Sequence, residues 1–217
     1  MSGRREATPR SGFVQPFVPA VCLRQPLNSN VRPHKMLASP EFFNIAAKRL
    51  AMLANDQVGH VARSITKHAD YPGEVTGTVL GIMPHLVEKA ILTSSSLPAD
   101  MAVRLCERFV SEYEAVVRLV SNAGGFSNPI KKALFNAGFH TMFRREYDDL
   151  KPKVDKIWEA ARLEQADPVG YLAYITLKRI ENAVGYPMEG EESIQAAFSA
   201  VGEVFERVHA VLSGANE

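Results

Sequence analysis

The chain has 217 residues, 46% of them hydrophobic, with 25 Lys and Arg against 24 Asp and Glu. That is enough for one well-buried domain, and the balance of charge offers no broad phosphate-binding surface, so nucleic-acid binding by the folded part is not expected. Two cysteines, Cys22 and Cys106, exclude a disulfide framework and point to a reducing compartment.

Charge is unevenly spread. Residues 1–36 hold six basic residues and the single acid Glu6, whereas the remaining 181 hold 19 basic and 23 acidic. Five of the 13 prolines (Pro9, Pro16, Pro19, Pro26 and Pro33) fall in the same segment. Repeated proline breaks helix and ladder alike, so residues 1–36 are expected to be disordered in isolation. Gln15, Pro16 and Pro19 interrupt the apolar run Phe13–Leu23, which makes a secretory signal a poor fit. An Arg-rich, Ser-containing, acid-poor composition is that of an organellar transit peptide. The run SGFVQPFVPAV, followed by VRPHKMLASP, resembles plastid transit peptides of red-algal nucleus-encoded proteins. That resemblance implies a mature chain starting near Met36 or Leu37, located in the plastid stroma.

Residues 37–217 read as one helical domain. Ser39-Pro40, Asn128-Pro129 and Asp167-Pro168 each place a capping residue before a proline at the first helical position. Pro98 and Pro152 read as two further starts; Tyr71-Pro72-Gly73, Gly124-Gly125, Gly185 and Gly214 read as stops. The first helix, 41–68, carries Phe42, Ala46, Leu50, Leu53, Val61 and Ile65 at helical spacing. Gly77, Gly81 and Pro84 weaken the region 74–96, which reads as a loop and a short helix after Pro84. A helix at 98–122 uses Ala102, Leu105, Phe109, Val116 and Val120. Helices near 129–149, 153–165 and 168–184 follow, and the last, 192–213, uses Ile194, Ala197, Phe198, Val201, Phe205, Val208 and Leu212. The expected fold is all-α, about seven helices in a single bundle. No run of the 18–20 apolar residues typical of a membrane span is recognised.

Catalytic chemistry finds little to rest on. His60 and His68 are eight apart, without the i, i+4 spacing and carboxylate of a metal helix, and read as solvated. Glu146, Asp148 and Asp149 follow Arg144-Arg145 and read as a solvated charged face. No phosphate cradle or GxSxG motif is present, so the chain is not expected to be an enzyme. His140, in FNAGFHTMF, reads as a core or boundary histidine, with contact to a haem or pigment as its functional alternative. Cys106, one residue after core-facing Leu105, reads as a thiol at the edge of the buried stripe; covalent attachment of a chromophore is the alternative.

Cys106, Arg108, Tyr113 and Ala123-Gly124 fall in places similar to the helical C-x-R-D stretch of phycobiliproteins, the globin-like bilin carriers of phycobilisomes. NPIKKALFNAGFHTMF and the closing EVFERVHAVLSG, with Phe205, Glu206 and Arg207, loosely resemble later helices of that family. The resemblance implies globin-like packing and a bilin held near Cys106, Arg108 and His140. Phe109 stands where the family has an Asp that hydrogen-bonds the pigment, and the stretch around Trp158 has no counterpart. With the transit-like segment, this favours a structural, linker-like subunit that helps assemble the phycobilisome, with phycobiliproteins or linkers as partners. A globin-like pigment- or haem-binding module, and a helical adaptor or secreted effector with a disordered export tail, are the alternatives.

Overall fold

The computed structural model describes residues 40–65, 72–123, 128–185 and 191–214. Among them are six helices and no strand: α1 (Pro40–Ile65), α2 (Pro72–Leu92), α3 (Ala99–Ala123), α4 (Pro129–Leu163), α5 (Pro168–Val184) and α6 (Glu191–Gly214). The all-α expectation holds. The segment 1–36, with its transit-like reading, lies outside the described residues, as do Ser39, His68 and Gly124-Gly125.

Capping chemistry sets several helix ends. Asn128 accepts from the N–H groups of Ile130 and Lys131, and Asp167 from those of Val169 and Gly170, each before a proline that has no N–H to leave unpaired. Gly185 closes α5 in the left-handed region at φ 84°, where a side chain would be strained.

The region 74–96 departs most from its expected form. Instead of a loop and a short helix, α2 is continuous and occupies the centre of the bundle, touching all five other helices. Its glycines are contact sites, not breaks. A Cβ on Gly73 would lie 2.3 Å from the Phe135 carbonyl oxygen, one on Gly77 2.3 Å from that of Phe139, and one on Gly81 2.8 Å from that of Phe143. Every step of four residues along α2 is matched by four along α4 in the same direction, so the two helices run parallel with their backbones in close approach. Pro72-Gly73, read as a stop, instead opens α2.

Pro84 lies inside α2, where it removes the donor that would pair with the Leu80 carbonyl. The buried Tyr113 hydroxyl of α3 donates to that same carbonyl at 2.7 Å. A side chain thus supplies what the proline takes away, and the helix continues. Pro152 is also interior rather than a start, which fuses 129–149 and 153–165 into α4 and gives six helices where seven were expected. Asp148 and Pro152 are both exposed, so the carbonyl deprived of its donor is open to water.

The core runs from Phe42 to Leu212 and draws on every helix. Ile194 and Phe198 are corrected: at 44% and 38% exposure they stand outside the core, while Ala197, Val201, Val204 and Val208 face inward. The window Gly73–Leu92 is long and apolar enough to cross a membrane by length and composition, which the sequence reading overlooked; 78% of it is buried among its neighbours.

Candidate functional site

Polar chemistry inside the bundle gathers where α2 meets α3 and α4. His85 is 3% exposed, and its Nε2 lies 2.8 Å from the Tyr147 carbonyl oxygen. A carbonyl only accepts, so Nε2 carries a hydrogen and donates it. Nδ1 has no hydrogen-bond partner; Glu88 Oε2 lies 3.8 Å from it. The imidazole lies against the Tyr147 ring at 5.1 Å between centroids. Tyr147 is the last rung of a stack along one face of α4, Phe135–Phe139–Phe143–Tyr147, which flanks the glycine seam. Burial first, then the charges of Glu88, Glu114 and Asp148, raise the Tyr147 phenol above its usual range.

Cys106 closes this cluster from α3. Its thiol lies 3.8 Å from the Glu88 carbonyl oxygen, and burial, assisted by Glu88, pushes its pKa up to about 12. At neutral pH it is a protonated, desolvated thiol at the edge of the core, as the period of α3 predicts. Arg108 points elsewhere, pairing with Glu112 one turn along its own helix at 2.9 Å. His140 is exposed, not a core or boundary residue, with Nε2 3.0 Å from the Ser121 hydroxyl and its ring edge-on to Phe139. The polar contacts of Cys106, Arg108 and His140 do not overlap: the first turns to α2, the second to its own helix, the third to the end of α3.

A second buried cluster overturns the solvated reading of Glu146, although Asp148 and Asp149 are exposed as expected. Glu146 is fully buried; its Oε1 accepts from Arg145 Nη2 at 2.8 Å, and its Oε2 from Arg179 of α5. Burial, then the neighbouring Arg145, lowers the Arg179 guanidinium from its ordinary value. A buried carboxylate with two guanidinium partners ties α5 to α4. The signal was present in the sequence: Phe139, Phe143, Glu146, Leu150 and Val154 follow helical spacing, which puts a carboxylate on the inner face beside an arginine. His85 escaped notice because the apolar run around Pro84 read as broken.

Further ties are structural in the same sense. Gln57 of α1 donates to Glu203 of α6 at 3.4 Å. Lys89 reaches Asp155 at 3.0 Å and lies over the Trp158 ring, which stacks on Phe205 at 5.6 Å, joining α2, α4 and α6. His60 is exposed, in line with its solvated reading. No group of three or more His, Cys, Asp or Glu able to hold a metal ion occurs among the described residues.

The outer surface carries the other notable feature. Ile130 and Leu134, one turn apart at the start of α4, are 71% and 67% exposed. On the α5–α6 pair, Tyr171, Tyr174, Ile194 and Phe198 are exposed, and a Cβ placed on Gly170 would lie 3.2 Å from the Phe198 ring, so these helices meet at that face. Comparison of the chain with protein-family models, curated proteins and solved structures gave no match.

Proposed function

We propose that the protein is a structural, non-catalytic helical subunit that works by binding other proteins. The observation that carries this reading is the pairing of large apolar side chains on exposed helix faces, Ile130 with Leu134 and Tyr171 with Tyr174, Ile194 and Phe198. Single exposed apolar residues are ordinary, but neighbouring ones on one face mark places where water is displaced by a partner. Meanwhile the buried Glu146, the Tyr113 hydroxyl and His85 Nε2 are engaged in joining helices.

The partner proposed is the phycobilisome antenna of a red-algal plastid, with phycobiliproteins or their linkers on the other side of the contact. That choice rests on the transit-like composition of residues 1–36 and the resemblance around Cys106–Tyr113 and Phe205–Arg207, and it goes with a stromal location. The test is native fractionation of antenna complexes from the source organism, followed by the intact mass of the chain in each fraction. Co-migration with the antenna, with a mass starting near Met36 or Leu37, is the expected result. A chain that is absent from antenna fractions in every salt condition, or that retains residues 1–36, overturns the assignment.

A further inference from the structure

The outer side of α1 carries charges that find no opposite on their own helix. Elsewhere on the surface such charges pair one turn along: Arg108 with Glu112 on α3, Arg162 with Glu159 on α4, Lys178 with Glu181 on α5 and Arg207 with Glu203 on α6. On α1, Lys48, Arg49 and Asp56 are exposed. No acid stands three or four residues from Lys48 or Arg49, and no Lys or Arg stands three or four from Asp56. None of the three makes an ion pair among the described residues.

Large apolar side chains share that side. Ile45 is 49% and Met52 65% exposed, while Phe42, Ala46, Leu50, Leu53 and Ala54 face the core. Ile45, Met52 and Gly59 follow one another at intervals of seven residues, about two turns, and so lie along one line of the helix. Arg49 and Asp56 each stand four residues after a member of that line, and therefore on the same flank of it. The flank is basic on one side of Met52 and acidic on the other.

We propose that this side of α1 pairs with the same side of α1 in a second copy of the chain, antiparallel, about a twofold axis beside Met52. Turning one copy end for end about that axis sets Met52 on Met52, and Ile45 over Gly59, which offers no side chain. Because Arg49 and Asp56 share a flank, the same rotation sets Arg49 of each copy against Asp56 of the other. A parallel pair would place the two flanks on opposite edges of the contact and leave both charges without an opposite. The antiparallel order also sets the helix dipoles head to tail. Each copy contributes about four turns of a single helix, so the contact belongs to the small, weak class and is weakened by salt. This inference does not depend on the antenna assignment, and it uses neither the face at Ile130 nor that at Tyr171.

Sedimentation of the full chain over a range of concentrations tests it. The average mass rises with concentration from 23.9 kDa towards twice that value and stops there, because a twofold contact closes on itself. R49D sets acid against acid and D56R sets base against base, so each variant alone is monomeric. The geometry then requires two recoveries: R49D mixed with D56R in equal amounts forms a mixed dimer, and R49D/D56R in one chain dimerises with itself. M52E, which sets two carboxylates at the axis, is monomeric. All these variants change only exposed positions, so their helical circular dichroism matches that of the wild type. A wild-type chain that stays monomeric at every concentration overturns the proposal and leaves this side of α1 to a different partner or to water. A dimer that survives R49D also overturns it, by placing the contact elsewhere, as does an R49D/D56R chain that folds but fails to dimerise.

Discussion

Tyr113 and Pro84 form a compensating pair that a double-mutant cycle can measure. With Pro84 in place, Tyr113→Phe leaves the buried Leu80 carbonyl without the donor now 2.7 Å away, which costs about 1–3 kcal/mol in urea unfolding. With Pro84→Ala, residue 84 gains an N–H directed at that carbonyl, and the same Tyr113→Phe change costs about 1 kcal/mol less. Equal losses in the two backgrounds would separate the tyrosine from the proline. Cys106 gives a prediction in pH. Its ordinary value of 9.0 applies to the unfolded chain and about 12 to the folded one, so between these values the folded state holds more protons than the unfolded state. Stability from this group is therefore complete below pH 9 and lost as pH rises towards 12. Tyr113 and Tyr147 are raised as well, so the whole protein weakens in alkali for several reasons. Comparing wild type with Cys106→Ala cancels the tyrosines: the difference in urea midpoint is constant from neutral pH to pH 9, then moves in favour of the alanine variant. A difference that stays flat beyond pH 9 would show that the thiol is solvated in the folded state.

At the level of helices, two opposed effects meet at glycine. Replacing a glycine inside a helix by alanine gains about 1 kcal/mol from propensity alone. At Gly202, with nothing within 4 Å of an added Cβ, that gain is expected in full. At Gly77 the Cβ would meet the Phe139 carbonyl at 2.3 Å, and backbone cannot swing aside as a side chain can. α2 and α4 must separate, with loss of packing along the seam, and the cost of about 2–4 kcal/mol exceeds the propensity gain. Thermal unfolding of Gly77→Ala and Gly202→Ala should therefore shift in opposite directions; a stabilised Gly77→Ala would refute the close approach. The same glycines explain what was legible in the sequence. Where the apolar period is clear, as in α3 from Ala102 to Phe109, or caps mark both ends, as in α5 between Asp167 and Gly185, the element was readable, although α3 buries Val117 where Val116 and Val120 were expected. In α2, Gly77, Gly81 and Pro84 read locally as breakers, because the Phe139 backbone and the Tyr113 hydroxyl that make them tolerable come from other helices, Tyr113 being 29 residues beyond Pro84 and Phe139 further still. Pro152 misled for a related reason: exposure, which sequence shows poorly, decides whether an interior proline is tolerated. Of the candidate site, the edge position of Cys106 followed from its neighbour Leu105. The burial of Glu146 was encoded in its spacing, but Arg179 comes from another helix, and no local pattern announces it.

Across the whole molecule, the placement of α2 decides how stability is distributed. It touches each of the other five helices, and the residues Val79, Leu80, Ile82, Leu86, Val87 and Ala90 are all buried. Removing any one neighbour exposes part of this helix, so opening α2 requires most of the bundle to come apart. Its amides should exchange with deuterium only through global unfolding and report the full stability of the protein. The start of α4 is the opposite case. Asn128 to Leu134 are exposed, and the helix there is held by the Asn128 cap and its own ladder, against the unfavourable charge of Lys131 and Lys132. Those amides should exchange orders of magnitude faster than amides after Phe139 in the same helix, although secondary structure is continuous across the boundary. Exchange measured by mass spectrometry therefore sets the slowest peptide in α2 and a fast one at 129–134. Equal protection at 129–134 and in α2 would mean that the start of α4 is packed on the bundle.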